Sequence, residues 1–167
     1  YFDDQIRFVS ALPETIKQYL MVRLMVIDHG QCQKERWNDY FPEVLLDEGV
    51  SPLYKLVEKS RIYISTYHAT TFLESLSWNM PTIIFWDPGF NELNETASNA
   101  FNELKKVGIF HETPESAAIK LIEVWDDIPT WWHSEEIQKA RNNFCSIYSR
   151  TINNPVDEYA KVLQSLS

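Results

Sequence analysis

Glycine is scarce in this chain, with 4 among 167 residues. Neither the Gly-x-Gly-x-x-Gly dinucleotide fingerprint nor the Gly-rich P-loop is present, and a flexible hinge inside the domain is not expected. Cysteine is scarcer still: Cys32 and Cys145 stand alone, in no metal-ligand spacing. They read as reduced thiols of an intracellular protein, with a single disulfide left open. Basic residues are outnumbered, 15 against 24 acidic ones, for a formal charge of −9. That balance argues against nucleic acid as a partner, because non-specific phosphate-backbone binding needs a basic surface. A small anion pocket of backbone amides and hydroxyls needs no net charge and stays open. No apolar run approaches the roughly 18 residues of a membrane span, and no signal peptide is visible. The chain opens Tyr-Phe-Asp-Asp without a Met, as expected of a processed or excised fragment. No Gly-x-Ser-x-Gly elbow supports a Ser/His/Asp hydrolase. No histidine or cysteine pair has ligand spacing and the carboxylates are scattered, so neither a metal nor a cofactor is expected.

What is present is an alternation of short apolar runs with amphipathic stretches, the pattern of an α/β layer fold with a mostly parallel sheet. At 167 residues it fits one domain with a sizeable core. Phe2, Ile6 and Val9 share a helical face that stops near Pro13. Tyr19 to Met25 is a near-continuous apolar run, predicted as a buried strand, followed by a loop at Asp28-His29-Gly30-Gln31. A short helix over Glu35 to Phe41 and a strand over Val44 to Asp47 come next. Ser51-Pro52 reads as a hydroxyl cap with proline at the first helical position, ahead of Leu53, Leu56 and Val57. Ile62 to Ile64 forms a strand ending in Ser65-Thr66, and a helix follows with Phe72, Leu73 and Leu76 inward. Asn79 and Pro81 stop that helix before the strand Thr82 to Trp86.

Four later helices are marked. Leu93, Ala97, Phe101 and Leu104 share a face before Gly108, and Thr113-Pro114-Glu115-Ser116 opens a stripe of Ala117, Ala118, Leu121, Ile122 and Trp125. Ile137, Ala140, Phe144 and Tyr148 mark the third, and Val156, Tyr159 and Leu163 the fourth. Trp131-Trp132 reads as packing between helices, or as the surface of a non-catalytic interaction module.

The chemistry concentrates at Ser65-Thr66-Tyr67-His68-Ala69-Thr70-Thr71. Ligands of open parallel sheets bind beyond the carboxyl ends of strands, where helix N-termini present free N–H groups and a dipole that favour anions. Ser65 and Thr66 at the strand end and Thr70 and Thr71 at the helix start would surround a phosphate with hydroxyls. Glu74, one turn on, could accept from ribose hydroxyls. The same threonines also read as ordinary helix caps, and Glu74 as a complement to the dipole. Asp28 and His29 are candidates for acid–base chemistry, or simply a turn with local hydrogen bonds. Arg23, inside an apolar strand, must pair with a carboxylate or point into a cleft. His68 precedes the helix, near any ligand there, whereas His111 and His133 read as surface residues.

The run from Arg61 to Trp86 resembles a pattern in the second domain of GT-B glycosyltransferases. There a strand ends in small hydroxyl residues, and a Ser/Thr-x-x-Glu helix start leads through Asn/Gly-x-Pro to the next strand. More narrowly, nearly the whole chain resembles the C-terminal part of a bacterial family of transferases associated with O-antigen and other surface polysaccharides. Supporting segments are Asp4-Gln5 with Phe8, Gln33-Lys34-x-Arg36-Trp37, Lys106 to Ala118, and Trp125-Asp126-Asp127.

The resemblance implies a Rossmann-like parallel sheet flanked by helices over residues 1–167, a single nucleotide-binding domain that is incomplete as a transferase. It further implies that the chain is the C-terminal fragment of a longer cytoplasmic enzyme, inactive alone, at or near the inner membrane face. The implied partners are a nucleotide-sugar donor, a glycan or lipid-linked acceptor, and an N-terminal domain of the same protein. Ser65, Thr66, Thr70 and Thr71 would then contact donor phosphates and Glu74 the ribose, with Arg23, Asp28 and His29 approaching the cleft. A phosphotransferase using a nucleotide-activated alcohol would employ the same architecture. The chain departs from the family where His68-Ala69-Thr70-Thr71 stands in place of an Asn-Ser-Thr-Thr run.

Overall fold

The computed structural model describes residues 1–89 and 93–166. Its elements in chain order are α1 (Phe2–Ser10), α2 (Glu14–Lys17), β1 (Met21–Arg23), α3 (Gln33–Tyr40), β2 (Leu45–Asp47), α4 (Leu53–Val57), β3 (Tyr63–Ser65), α5 (Thr70–Ser77), β4 (Thr82–Phe85), α6 (Glu95–Lys106), β5 (Phe110–His111), α7 (Pro114–Val124), a 3-10 turn (Trp125–Asp127), α8 (Ile128–Trp132), α9 (Glu135–Tyr148) and α10 (Pro155–Ser165). All strand pairing is parallel: β1 with β2, and β3–β4–β5 as a second sheet with β4 central. Helices flank the sheets, giving the parallel α/β architecture that the alternation predicts and the Rossmann-like fold that the resemblance implies. No helix among the described residues is long and apolar enough to cross a membrane.

β4 organises the interior because successive side chains of a strand point to opposite faces. Ile83 and Phe85 enter one core cluster with Phe8, Val9 and Leu12 of α1 and its end, Trp37 of α3, and Ala117, Ala118 and Leu121 of α7. Ile84 and Trp86 enter the other with Phe72 and Leu76 of α5, Phe101 and Leu104 of α6, Trp132 of α8, and Phe144 of α9. Phe8 stacks on Phe85 at 5.0 Å, and the Arg7 guanidinium grips Glu115 through two bonds of 2.7 and 2.8 Å, fixing α1 across α7.

Helix ends follow local chemistry. Thr113 caps α7 by accepting from Ser116 N, with Pro114 in the first turn. Gly108 ends α6 with φ +77°, where Gly108 N donates to Lys105 O and Ile109 N to Leu104 O, a complete Schellman closure. Asn79 does the same for α5 with φ +56°, and Met80 N reaches Ser75 O. Its αL geometry is locked from α8, since Trp132 Nε1 donates to both Asn79 O and Asn79 Oδ1. Trp132 is fully buried and Trp131 packs against both clusters, so the pair is core and offers no aromatic docking surface.

Several expectations need correction. The Tyr19–Met25 run is no buried strand: only Met21–Arg23 pairs, and Tyr19, Met21, Met25, Val26 and Ile27 are exposed. The pair β1–β2 sends Val22 and Leu46 into the core and leaves Met21 and Leu45, register partners, on an uncovered face. Helix α4 begins at Leu53 with Pro52 in the cap position, and Ser51 supplies no cap bond. The short elements α2 and β5 lack a sequence signal long enough to announce them. His111 is not a surface residue: it is partly buried, with Nδ1 3.2 Å from Ser116 Oγ and Nε2 3.1 Å from Gly108 O. The fourth late helix, α10, forms as expected, yet Val156, Tyr159 and Leu163 remain exposed.

Candidate functional site

The strand–loop–helix unit β3–α5 brings six of the sequence-predicted residues to one place, the carboxyl end of β3. Helix α5 starts at Thr70 with Ala69 as its N-cap, and no side chain makes a capping bond. The threonines are therefore not caps. They occupy the first two helical positions, where backbone N–H groups have no intrahelical acceptor. Among the described helices of eight residues or more, α5 alone has no acidic residue in its first turn. Its positive dipole end is left without a carboxylate of its own.

The surrounding hydroxyls divide into two kinds. Ser65 is buried and its Oγ donates to Tyr67 O at 3.2 Å, so it shapes the loop from within. Thr66 and Thr71 are half-buried and act as acceptors: Gln5 Nε2 donates to Thr66 Oγ1 at 2.9 Å, and Tyr63 OH donates to Thr71 Oγ1 at 3.0 Å. Thr70, His68 and Glu74 are exposed. The His68 ring lies 6.0 Å from Trp86, and the Tyr1 ring meets Tyr67 edge-on at 5.1 Å. Burial pushes the Tyr63 phenol above its ordinary range, keeping it a neutral donor.

Gln5 and Tyr63 are the residues that sequence reading missed. Gln5 lies 61 positions from Thr66, beyond any local pattern, and Tyr63 reads simply as a β-former.

Arg23, Asp28 and His29 form a separate group on the β1 side, and among the described residues no hydrogen bond or ion pair joins them to the β3–α5 unit. Arg23 is not buried. Its Nη1 donates to Asp47 at 2.8 Å and its Nη2 to Gly49 O at 2.8 Å, so it takes the carboxylate-pairing alternative. Its strand lies on the uncovered face of a two-stranded sheet, which keeps the guanidinium partly in water. The two Asp28 oxygens accept from Gln33 N and Cys32 N, both at 2.8 Å, forming a local turn at the start of α3. Those amides hold its carboxyl below the usual carboxylate range, the Gln33 amide most strongly. His29 is exposed, with φ +52°.

Concave surface occurs elsewhere. A groove of about 920 Å³ runs between α6 and α9, lined in part by Ala100, Phe144 and Ile147. A second concavity, of about 340 Å³, includes Pro88, Phe101, Phe110 and Glu112. None of the site residues lines either one.

Compared with known proteins, the chain matched no curated protein and no solved structure. The family model described as LIC12162 family transferase matches residues 1–163. The chain therefore belongs to the LIC12162 family of transferases.

Proposed function

We propose that this transferase domain binds the nucleotide of an activated sugar at the β3–α5 edge and forms the donor half of a glycosyltransferase for surface polysaccharide of the O-antigen type. The observation that carries the reading is the amino end of α5, which is uncapped, free of carboxylate, and flanked by Thr66, Thr70 and Thr71. Preorganised amides and hydroxyls there would stabilise the negative charge that develops on a leaving phosphate. Glu74 would accept from the ribose and His68 would contact the ligand from the loop. Ser65 serves from beneath by holding Tyr67 O. Arg23 flanks the cleft as an ion-paired wall. Of the two acid–base candidates, Asp28 is stabilised as the carboxylate by amides, and His29 is exposed. The partners of the reading are a glycan or lipid-linked acceptor and an N-terminal domain that faces the open edge and supplies the acceptor's base.

Calorimetry with CMP, UDP and GDP tests it. At least one nucleotide binds the wild type, and the double variant Thr70→Ala/Thr71→Ala weakens that binding about tenfold or more, the size expected for hydrogen bonds to a charged group. Undiminished binding by the variant would remove the site.

A further inference from the structure

We infer that α10 of one chain docks in the α6–α9 groove of a second copy, and reciprocally, so that the domain pairs as a twofold-symmetric dimer. Helix α10 has no buried residue. Its large apolar side chains Val156, Tyr159, Val162 and Leu163, with Leu166 directly after it, are each more than half exposed. Val156, Tyr159, Leu163 and Leu166 recur at steps of three, four and three, which sets them in one stripe, with Asp157, Glu158 and Lys161 outside it. A helix of 11 residues is marginal in water, since most helical stability comes from packing an apolar face against something else. The stripe therefore calls for a surface to lie on.

The α6–α9 groove, of about 920 Å³, has the matching form. Ala100, Phe144 and Ile147 give it apolar walls, and Ile147 is itself exposed. Helix-in-groove recognition uses anchors spaced three, four and seven residues apart, as the stripe supplies. The charges agree as well. The groove's charged lining residues, Glu103, Lys105 and Lys106, carry a net +1 in a chain of net −9, and Asp157, Glu158 and Lys161 of α10 carry a net −1. Within one chain the two surfaces do not meet, because every lining residue belongs to α6 or α9 and no residue of α10 is buried. A second copy brings both at once, and the exchange closes on itself about a twofold axis. Two reciprocal dockings, each withdrawing the stripe and the groove walls from water, bury on the order of 1,200 Å², the lower bound for a specific dimer.

Sedimentation velocity of the chain across the micromolar range tests the pairing, with thermal unfolding followed in parallel. The wild type should pass from monomer to dimer as concentration rises. Leu163→Lys on α10 and Ile147→Lys in the groove replace exposed side chains with a good helix former, so the unfolding midpoint of the monomer should hold. Each should raise the dimer dissociation constant about tenfold or more. Mixing the two variants should give a heterodimer weaker than the wild-type dimer, because one intact helix still meets one intact groove. Met21→Lys, on the uncovered face of β1–β2, should leave the dimer unchanged. A wild type that stays monomeric overturns the inference, and protected α10 amides in hydrogen exchange would then place the helix in its own chain's groove. A dimer that survives both Leu163→Lys and Ile147→Lys, or that Met21→Lys breaks, overturns it by locating the interface elsewhere.

Discussion

Strands β4 and β1 both begin as short apolar runs, yet they live in different surroundings. Every residue of β4 is buried, with Ile83 and Phe85 on one side and Ile84 with the following Trp86 on the other. In β1 only Val22 turns inward, while Met21 is half-exposed beside its exposed partner Leu45. Parallel sheets are normally covered on both faces. The β3–β4–β5 sheet meets that rule within this chain, and the β1–β2 pair meets it on one face. Stability should therefore concentrate around β4, and the proposed anion site at the amino end of α5 is mounted on that firm side.

The largest expected effect comes from opposing the two strands directly. Phe85→Ala should cost about 3–5 kcal/mol of unfolding free energy in urea titration. Leu45→Ala should stay within about 0.5 kcal/mol, the range of exposed substitutions. Equal losses would erase the distinction. Trp132→Phe comes next. It leaves the Asn79 oxygens without their indole donor and should cost about 1–3 kcal/mol, read by the same titration. Thr113→Ala should cost about 1 kcal/mol through the lost α7 cap. Ser51→Ala, which removes no cap bond, should be close to silent.

The smallest effect is a pH slope. Burial first, then the charges of Lys120 and Lys105, hold His111 below its ordinary value, against the opposing pull of its bond to Gly108 O. The unfolded state then takes up a proton more readily than the folded one. Stability is highest above the ordinary histidine range and falls as pH drops from about 6.5 through the lowered folded value. His111→Asn should flatten that portion of a curve of unfolding midpoint against pH. An unchanged slope would place the titration elsewhere.

The same contrast explains what was legible in the sequence. Thr82 to Trp86 reads correctly as a strand because an element buried on both faces is apolar at every position. Tyr19 to Met25 carries the same signature and misleads, since apolar composition does not record whether a second layer covers the strand. The ends of α5, α6 and α7 are readable because Asn79, Gly108 and Thr113 act through bonds spanning a few residues. Ser51 misleads by one position, as Pro52 takes the cap. His111 hides because its burial comes from the α6–β5 turn folding back onto it through Gly108. At the candidate site, the Thr70-Thr71 helix start was legible as a local pattern. The supports from Gln5 and the inward turn of Ser65 were not, because they depend on where α1 and the 67–69 loop come to rest.

One measurement addresses the central claim, that an anionic nucleotide sits on the amino end of α5. Amide chemical shifts of the isotope-labelled chain are followed while CMP, UDP and GDP are added in turn. For at least one nucleotide the largest changes should fall on residues 66–72, foremost the amides of Thr70 and Thr71. Changes concentrated instead along the α6–α9 groove, at Ala140, Phe144 and Ile147, with residues 66–72 unmoved, would contradict the account.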